Sequence, residues 1–112
     1  MLFRSLRQGI VQGDAITQSA RTGLGLSADG RQLLLLTLDR RIDLMAPGGL
    51  VGATAWEVGA VLQGFGAWDG LNLDGGGSTQ MAWWNPTAGQ AQLLNAPLQE
   101  RYVGQSLGVG YW

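Results

Sequence analysis

The most regular hydrophobic pattern in the chain lies between residues 53 and 66. Its apolar residues recur at the i, i+3, i+4 and i+7 spacing of one helix face: Val58, Val61, Leu62 and Phe65. Thr54 and Glu57 stand just before this pattern at the N-cap and N3 positions of a capping box. The pattern therefore predicts one well-defined helix over about residues 53–66.

Short apolar runs separated by turn residues predict strands on both sides of this helix. Asp29-Gly30 divides the runs 22–27 and 32–39, and Asp-Gly between apolar runs favours a hairpin. The second run is almost continuously leucine, which is typical of a strand covered on both faces. Residues 5–16 are predicted to form a short helix or an irregular segment, and residues 40–51 a connection. Further strands are predicted at 68–74, 79–84, 90–94 and 103–109.

The predicted order of elements is that of a single α+β domain, in which one helix packs on a mixed sheet. A chain of 112 residues suffices for one such domain. Only 13% of its residues are charged, against about 25% in typical domains, so part of the surface is expected to be covered. The cover would be a partner, a second copy of the chain, or a missing piece of the same domain. Trp83 and Trp84 are neighbours on a predicted strand and must point to opposite faces, so one is expected to be buried.

Composition excludes several classes of enzyme. The chain has no histidine, cysteine or lysine, which excludes Ser-His-Asp triads, thiol nucleophiles, Schiff-base enzymes and Walker phosphate loops. The net charge is −1 without a basic stripe, so a nucleic-acid partner is not expected. No metal site, cofactor, signal peptide or membrane span is predicted. As written, the chain would remain in the cytoplasm, although the sequence leaves its localisation open.

One segment combines a carboxylate, three glycines and two hydroxyls. In residues 72–79, a predicted strand delivers Asp74, and three glycines follow at once. Consecutive glycines can turn their N–H groups inward to form an anion-binding concavity, called a nest. A tight hairpin turn explains the same glycines without any ligand. Asp39 and Asp43, by contrast, are interpreted as surface charges.

The string NLDGGGST, together with the capped helix before it, resembles the signature of the phosphodiester glycosidase family. Residues 21–26 (RTGLGL) resemble the Arg-Thr-Ala-Ile-Gly strand of that family, and residues 100–109 resemble its terminal strand. The resemblance is collinear over residues 21–110. It covers the C-terminal half of the family's domain, without the family's N-terminal strands, so the domain is expected to be incomplete. The family includes bacterial proteins related to exopolysaccharides.

The resemblance implies hydrolysis of a sugar joined through C1 to a phosphodiester, either a sugar phosphate or a polysaccharide. Asp74 would be the catalytic carboxylate, as a base or by stabilising an oxocarbenium-like state, and Glu57 is the second candidate. Arg21 and the nest would hold the phosphate. The substrate-binding candidates are Arg21, Thr22, Asn72, Gly75, Gly76, Gly77, Ser78 and Thr79. The alternatives are a non-catalytic carbohydrate- or phosphate-binding module, or an inactive fragment that needs a partner chain or a second copy of itself.

Overall fold

The structure is a computed structural model that describes residues 3–98, 102–104 and 106–110. Within these ranges the chain forms nine strands, one α-helix and two short 3-10 turns, at Pro47–Gly49 and Gly76–Ser78. The helix α1 spans Ala55–Gly64, close to its predicted bounds. The strands are β1 (Phe3–Arg7), β2 (Ile10–Val11), β3 (Arg21–Leu26), β4 (Leu33–Leu38), β5 (Arg41–Ile42), β6 (Leu50–Val51), β7 (Asp69–Asn72), β8 (Ala82–Asn85) and β9 (Gln90–Leu93).

The described strands form a central five-stranded sheet and two separate hairpins. The central sheet has the order β2-β1-β7-β3-β4, while β5 pairs with β6 and β8 pairs with β9. Each of these pairings is antiparallel. Helix α1 contacts all five strands of the central sheet, so the predicted α+β class with one helix packed on a sheet is confirmed. No helix in the described ranges has the length and apolar character needed to cross a membrane.

The N-terminal segment is a β-hairpin, so the prediction of a short helix or irregular segment is wrong for residues 5–11. Gln8 and Gly9 both have positive φ, at 48° and 77°, as a tight hairpin turn with right-handed strand twist requires. The turn pairs Leu6 with Val11. β1 then pairs with β7, and this contact between distant parts of the chain overrides the weak local helical spacing.

The predicted hairpin of β3 and β4 is confirmed, with Gly30 at φ 72° in its turn. The expectation that the leucine run is covered on both faces is wrong. Leu34 and Leu36 pack against the core, whereas Leu33 and Leu35 on the other face are 48% and 44% exposed. In the described part of the chain α1 covers only one face of the sheet, so alternate leucines of β4 remain in solvent.

The C-terminal predictions have a mixed outcome. β7, β8 and β9 confirm three predicted strands, and the connection 40–51 contains the short hairpin of β5 and β6. The described residues 102–104 and 106–110 carry no strand, so the strand predicted at 103–109 is wrong there, and Gln105 lies outside the described residues. Trp83 and Trp84 are 45% and 62% exposed. The expectation that one of them is buried is wrong, because β8 and β9 form a separate two-stranded sheet.

The core is small because α1 lies directly on glycines of the sheet. A Cβ added at Gly23 would lie 2.8 Å from Val58 Cγ1, and one at Gly70 would lie 2.9 Å from Leu62 Cδ1. Val58 and Leu62 are fully buried there. Gly23 also pairs with Asn72, the last residue of β7. The N-terminal half of α1 therefore lies near the point at which the chain leaves β7 and enters the segment of candidate chemistry.

Candidate functional site

The candidate loop, residues 73–79, lies against the beginning of β3. The amide of Leu73 donates to the Thr22 carbonyl oxygen at 2.8 Å, and the amide of Gly76 donates to the Ala20 carbonyl oxygen at 2.9 Å. A Cβ at Gly75 would lie 2.5 Å from the same Ala20 oxygen, so any larger residue would push the loop away. These contacts hold the backbone around Asp74 next to the backbone around Arg21.

The glycines of the loop differ in backbone conformation and in the hydrogen bonds of their amides. Gly76 has φ 62°, which favours glycine, whereas Gly75 is extended at φ −136°. The Gly75 amide donates to Asp74 Oδ1 at 2.9 Å, and the Gly76 amide is engaged by Ala20 as described above. Two of the three amides assigned to the nest are thus already hydrogen-bonded within the protein. The loop continues into the 3-10 turn that ends at Ser78, whose amide donates to the Gly75 carbonyl oxygen at 3.1 Å.

The Arg21 guanidinium is fixed by two backbone carbonyls. Its Nε donates to the Ala53 oxygen at 3.0 Å and its Nη2 to the Thr17 oxygen at 2.8 Å. Since arginine has five N–H donors, these contacts use only two of them. Ala53 immediately precedes the N-cap of α1, so Arg21 links β3 to the start of the helix. Thr22 lies on the opposite face of the strand by alternation, and its carbonyl oxygen accepts from the Leu73 amide as described above.

The two candidate carboxylates have different surroundings. Glu57 Oε1 accepts from the Thr54 amide at 3.2 Å, while Thr54 Oγ1 accepts from the Glu57 amide at 3.1 Å. This is the predicted capping box, and it accounts for Glu57 as a helix-starting residue. Asp74 is also exposed, but it lies on the loop, with Oδ1 bound to the amide of the next residue. Asp74 is therefore the carboxylate on the segment that contacts β3.

Asn72 and Thr79 bound the loop, and both are buried, at 1% and 0% exposure. Asn72 Nδ2 donates to the Leu73 carbonyl oxygen at 2.9 Å. Asn72 Oδ1 and Thr79 Oγ1 have no hydrogen-bond partner within the described residues. Buried oxygens without partners are uncommon in folded proteins, and leaving one unsatisfied costs about 1–3 kcal/mol. Each end of the candidate loop therefore has a buried side-chain oxygen without a hydrogen-bond partner among the described residues, which is unfavourable for folding.

A comparison with known protein families places this loop within a described family. The family described as "Phosphodiester glycosidase" matches residues 4–110. The chain belongs to the phosphodiester glycosidase family. The matched range includes the N-terminal hairpin of β1 and β2, which lies before the resemblance seen in the sequence. No protein with a curated description matches the chain significantly.

Asn95 also supports the loop of this phosphodiester glycosidase domain, and the sequence did not indicate it. Its Nδ2 donates to the Thr79 carbonyl oxygen at 2.9 Å and to Asp39 Oδ1 at 2.7 Å. Asp39 Oδ2 accepts from the Ala96 amide at 2.7 Å, so Asp39 is more than a surface charge. Asn95 and Asp39 are 56 positions apart, and no local spacing or composition signal connects residues at that distance.

Other features that could bind a ligand lie apart from the candidate loop. A groove of about 550 Å³ lies along β1, β3 and β7 and includes Arg4, Leu24 and Leu71, but no residue of loop 73–79. Within the described ranges, no group of three or more acidic, histidine or cysteine side chains is placed to hold a metal ion. The chemistry suggested by the family is therefore best sought where the loop contacts β3.

Proposed function

We propose that the chain hydrolyses the bond between C1 of a sugar and a phosphodiester oxygen, with loop 73–79 as the reacting site. The observation that carries the proposal is the pair of hydrogen bonds from Leu73 to Thr22 and from Gly76 to Ala20. These bonds hold the loop, with the exposed carboxylate of Asp74, against the strand segment that carries the fixed Arg21 guanidinium. Membership of the phosphodiester glycosidase family supports this choice of reaction.

Arg21 is suited to hold the phosphate of such a substrate. A phosphodiester carries one negative charge, and charge-assisted hydrogen bonds from a guanidinium are among the strongest that a protein can offer. The carbonyls of Ala53 and Thr17 already fix the orientation of Arg21, so binding does not have to order a free side chain. Its remaining N–H groups would contact the phosphate oxygens. The N-terminus of α1 adds a favourable dipole nearby.

Asp74 would act at C1 of the sugar. Water adds to C1 as the bond from C1 to the phosphate oxygen breaks, and the phosphate leaves as a monoester on its former aglycone. Asp74 would take the proton of that water or stabilise the positive charge that develops on the sugar. A phosphate monoester is a good leaving group, so the reaction needs little help from a general acid. A single carboxylate is therefore sufficient for the proposed mechanism.

The proposal is tested by the turnover of an aryl or alkyl phosphodiester of an N-acetylhexosamine. Asp74→Asn keeps the shape and hydrogen-bonding capacity of the side chain but removes the charge. We expect it to lower turnover by about 100-fold or more, the scale typical of a positioned acid or base. Glu57→Gln is the matched control, since a glutamine at N3 still reaches the N-cap amide. It should leave turnover nearly unchanged.

Two results would count against this assignment. Equal turnover in Asp74→Asn and the unmodified chain would remove Asp74 from the mechanism. A larger loss in Glu57→Gln would move the catalytic carboxylate to the start of α1. Binding of the substrate without any turnover would favour the alternative function, a carbohydrate- or phosphate-binding module. Circular dichroism of each variant, compared with that of the unmodified chain, separates these outcomes from misfolding.

A further inference from the structure

Among the residues that the structure describes, β4 is the long free edge of the central sheet. The strand order β2-β1-β7-β3-β4 leaves β2 and β4 at the edges of the sheet, and β2 has only two residues, Ile10–Val11. β4 has six residues, Leu33–Leu38, and contains neither proline nor a charged residue. Proteins usually protect an exposed edge strand with lysine, proline or a bulge, because its free N–H and C=O groups attract other strands. β4 carries none of these protections.

The hydrogen bonds of β3 show which residues of β4 face outward at this edge. The Ser27 amide donates to the Gln32 carbonyl oxygen at 3.0 Å at the end of the hairpin. Bonded pairs alternate along an antiparallel ladder, so Leu34 and Leu36 bond to β3. On the other side of β3, Thr22 accepts from Leu73 of the neighbouring loop, which agrees with this alternation. The backbone groups of Leu33, Leu35 and Thr37 therefore point away from the sheet.

We infer that β4 is a self-association edge, at which a second copy of this chain adds its own β4 in antiparallel orientation. The two-fold axis passes midway between Leu35 and Leu35 of the second copy, so that these two residues pair with each other. In this register Leu33 pairs with Thr37 of the second copy, and both residues have outward-pointing backbone groups. Each such pair exchanges two N–H···O bonds. Pairing around this axis joins the two central sheets into one.

Charge complementarity selects this register and this occupant. When Leu35 pairs with its own copy, Arg31 lies opposite Asp39 of the second copy, and the symmetry repeats the pair at the other end. Arg31 and Asp39 are the charged residues that directly flank the uncharged strand and its neighbouring Gln32, and both are exposed. Asp39 accepts from Asn95 and Ala96, and because each carboxylate oxygen has two lone pairs, it retains both its charge and its capacity to accept from Arg31 of the second copy. Opposite charges facing each other across an antiparallel pair are stabilising, and like charges are destabilising. The edge is thus complementary to itself in hydrogen bonding and charge.

Sedimentation equilibrium of the full chain over a range of concentrations tests the inference, with two variants matched in exposure. Leu35 and Leu26 are 44% and 43% exposed, and both lie on the face opposite α1. Leu35→Lys would place two lysines opposite each other at the axis, and we expect it to weaken dimerisation by at least tenfold. Leu26→Lys lies on the inner strand β3 and should leave the dimer unchanged. A monomer at high micromolar concentration, or a dimer that is lost with Leu26→Lys but kept with Leu35→Lys, would overturn the inference.

A second pair of variants tests the register. Arg31→Glu would place a glutamate opposite Asp39 of the second copy, and we expect dimerisation to weaken by about tenfold, since two exposed ion pairs become repulsive. Arg41→Glu changes the net charge by the same amount on β5, outside the proposed pairing, and should have little effect. Equal weakening by both variants would show that net charge, rather than the Arg31–Asp39 pairing, controls association, and would overturn the proposed register.

Discussion

The two faces of the central sheet differ in what covers them, although the same strands form both. On the face toward α1, Gly23 and Gly70 leave room for Val58 and Leu62, which are completely buried. On the opposite face, leucines of the same strands stand in solvent, with Leu26 and Leu35 more than 40% exposed. Leucines therefore make both faces of the sheet apolar. The glycines are what distinguish the face on which the helix packs.

The close packing of α1 on the sheet also explains several of the glycines of the chain. Nineteen of the 112 residues are glycine, and those facing α1 act by leaving space that a side chain would fill. The clearest case is Gly59 on the helix itself, where an added Cβ would overlap with the Ser5 carbonyl oxygen of β1. Glycine at this position permits a helix-to-strand distance that no other residue allows.

The largest expected effect is a loss of stability in Gly59→Ala. In an exposed helix interior, glycine to alanine stabilises by about 1 kcal/mol, because alanine is the better helix former. At Gly59 the new methyl group collides with backbone, which cannot move as a flexible side chain does, so we expect a destabilisation of about 3 kcal/mol or more. Gly64→Ala is the matched control, because no atom lies within 4 Å of a Cβ placed there. Urea unfolding of both variants measures the difference, and equal stabilities would show that α1 does not lie against β1.

Leucine truncation compares the two faces directly. Leu62→Ala removes a side chain that is 1% exposed, and we expect a cost of about 2–5 kcal/mol. Leu35→Ala removes one that is 44% exposed, and its cost should stay below about 1 kcal/mol in the monomer. Chemical denaturation at low protein concentration measures both values. Similar losses in the two variants would mean that the face opposite α1 is as well covered as the helix side.

The smallest expected effect is a change in the stability of the protein at acidic pH. It originates in the turn between β3 and β4, two strands that contribute to both faces of the sheet. Asp29 accepts from the Ser27 hydroxyl and the Arg31 amide, and these bonds lower its pKa below the ordinary value of 3.8. Because the folded pKa is below the unfolded one, this contribution is present above the unfolded pKa and is lost as the pH falls through the folded pKa. The stability difference between the unmodified chain and Asp29→Asn should therefore shrink from pH 6 to pH 3. Thermal unfolding at both pH values checks this, and a constant difference would contradict it.

The parts of the fold that follow from local pattern were predictable. The capping box and apolar spacing gave α1, and Asp29-Gly30 gave the hairpin of β3 and β4, because these signals lie within a few residues of each other. The hairpin of β1 and β2 was missed, since Gly9 suggests a broken helix as readily as a positive-φ turn. β1 is fixed by its pairing with β7, more than sixty positions away, which local spacing does not contain.

The sequence predicted which segment forms the candidate site, but not how its residues are arranged and hydrogen-bonded in space. The string around Asp74 indicated the loop and its family, but not that Gly75 and Gly76 donate to Asp74 and Ala20. Nor did it indicate that Arg21 binds the carbonyls of Ala53 and Thr17. These contacts depend on how β3, α1 and the loop meet in space, and a single sequence does not show which backbone carbonyls face a given side chain.

The central functional claim is that Asp74 assists cleavage of the bond between the sugar and the phosphate oxygen. Phosphorus NMR of the products formed from an N-acetylhexosamine phosphodiester tests it most directly, because the position of the phosphorus shows which bond was broken. Our account predicts that the phosphate remains on the aglycone as a monoester beside free sugar, and that this signal is lost in Asp74→Asn. Accumulation of the sugar 1-phosphate, or the same monoester signal with Asp74→Asn, would contradict it.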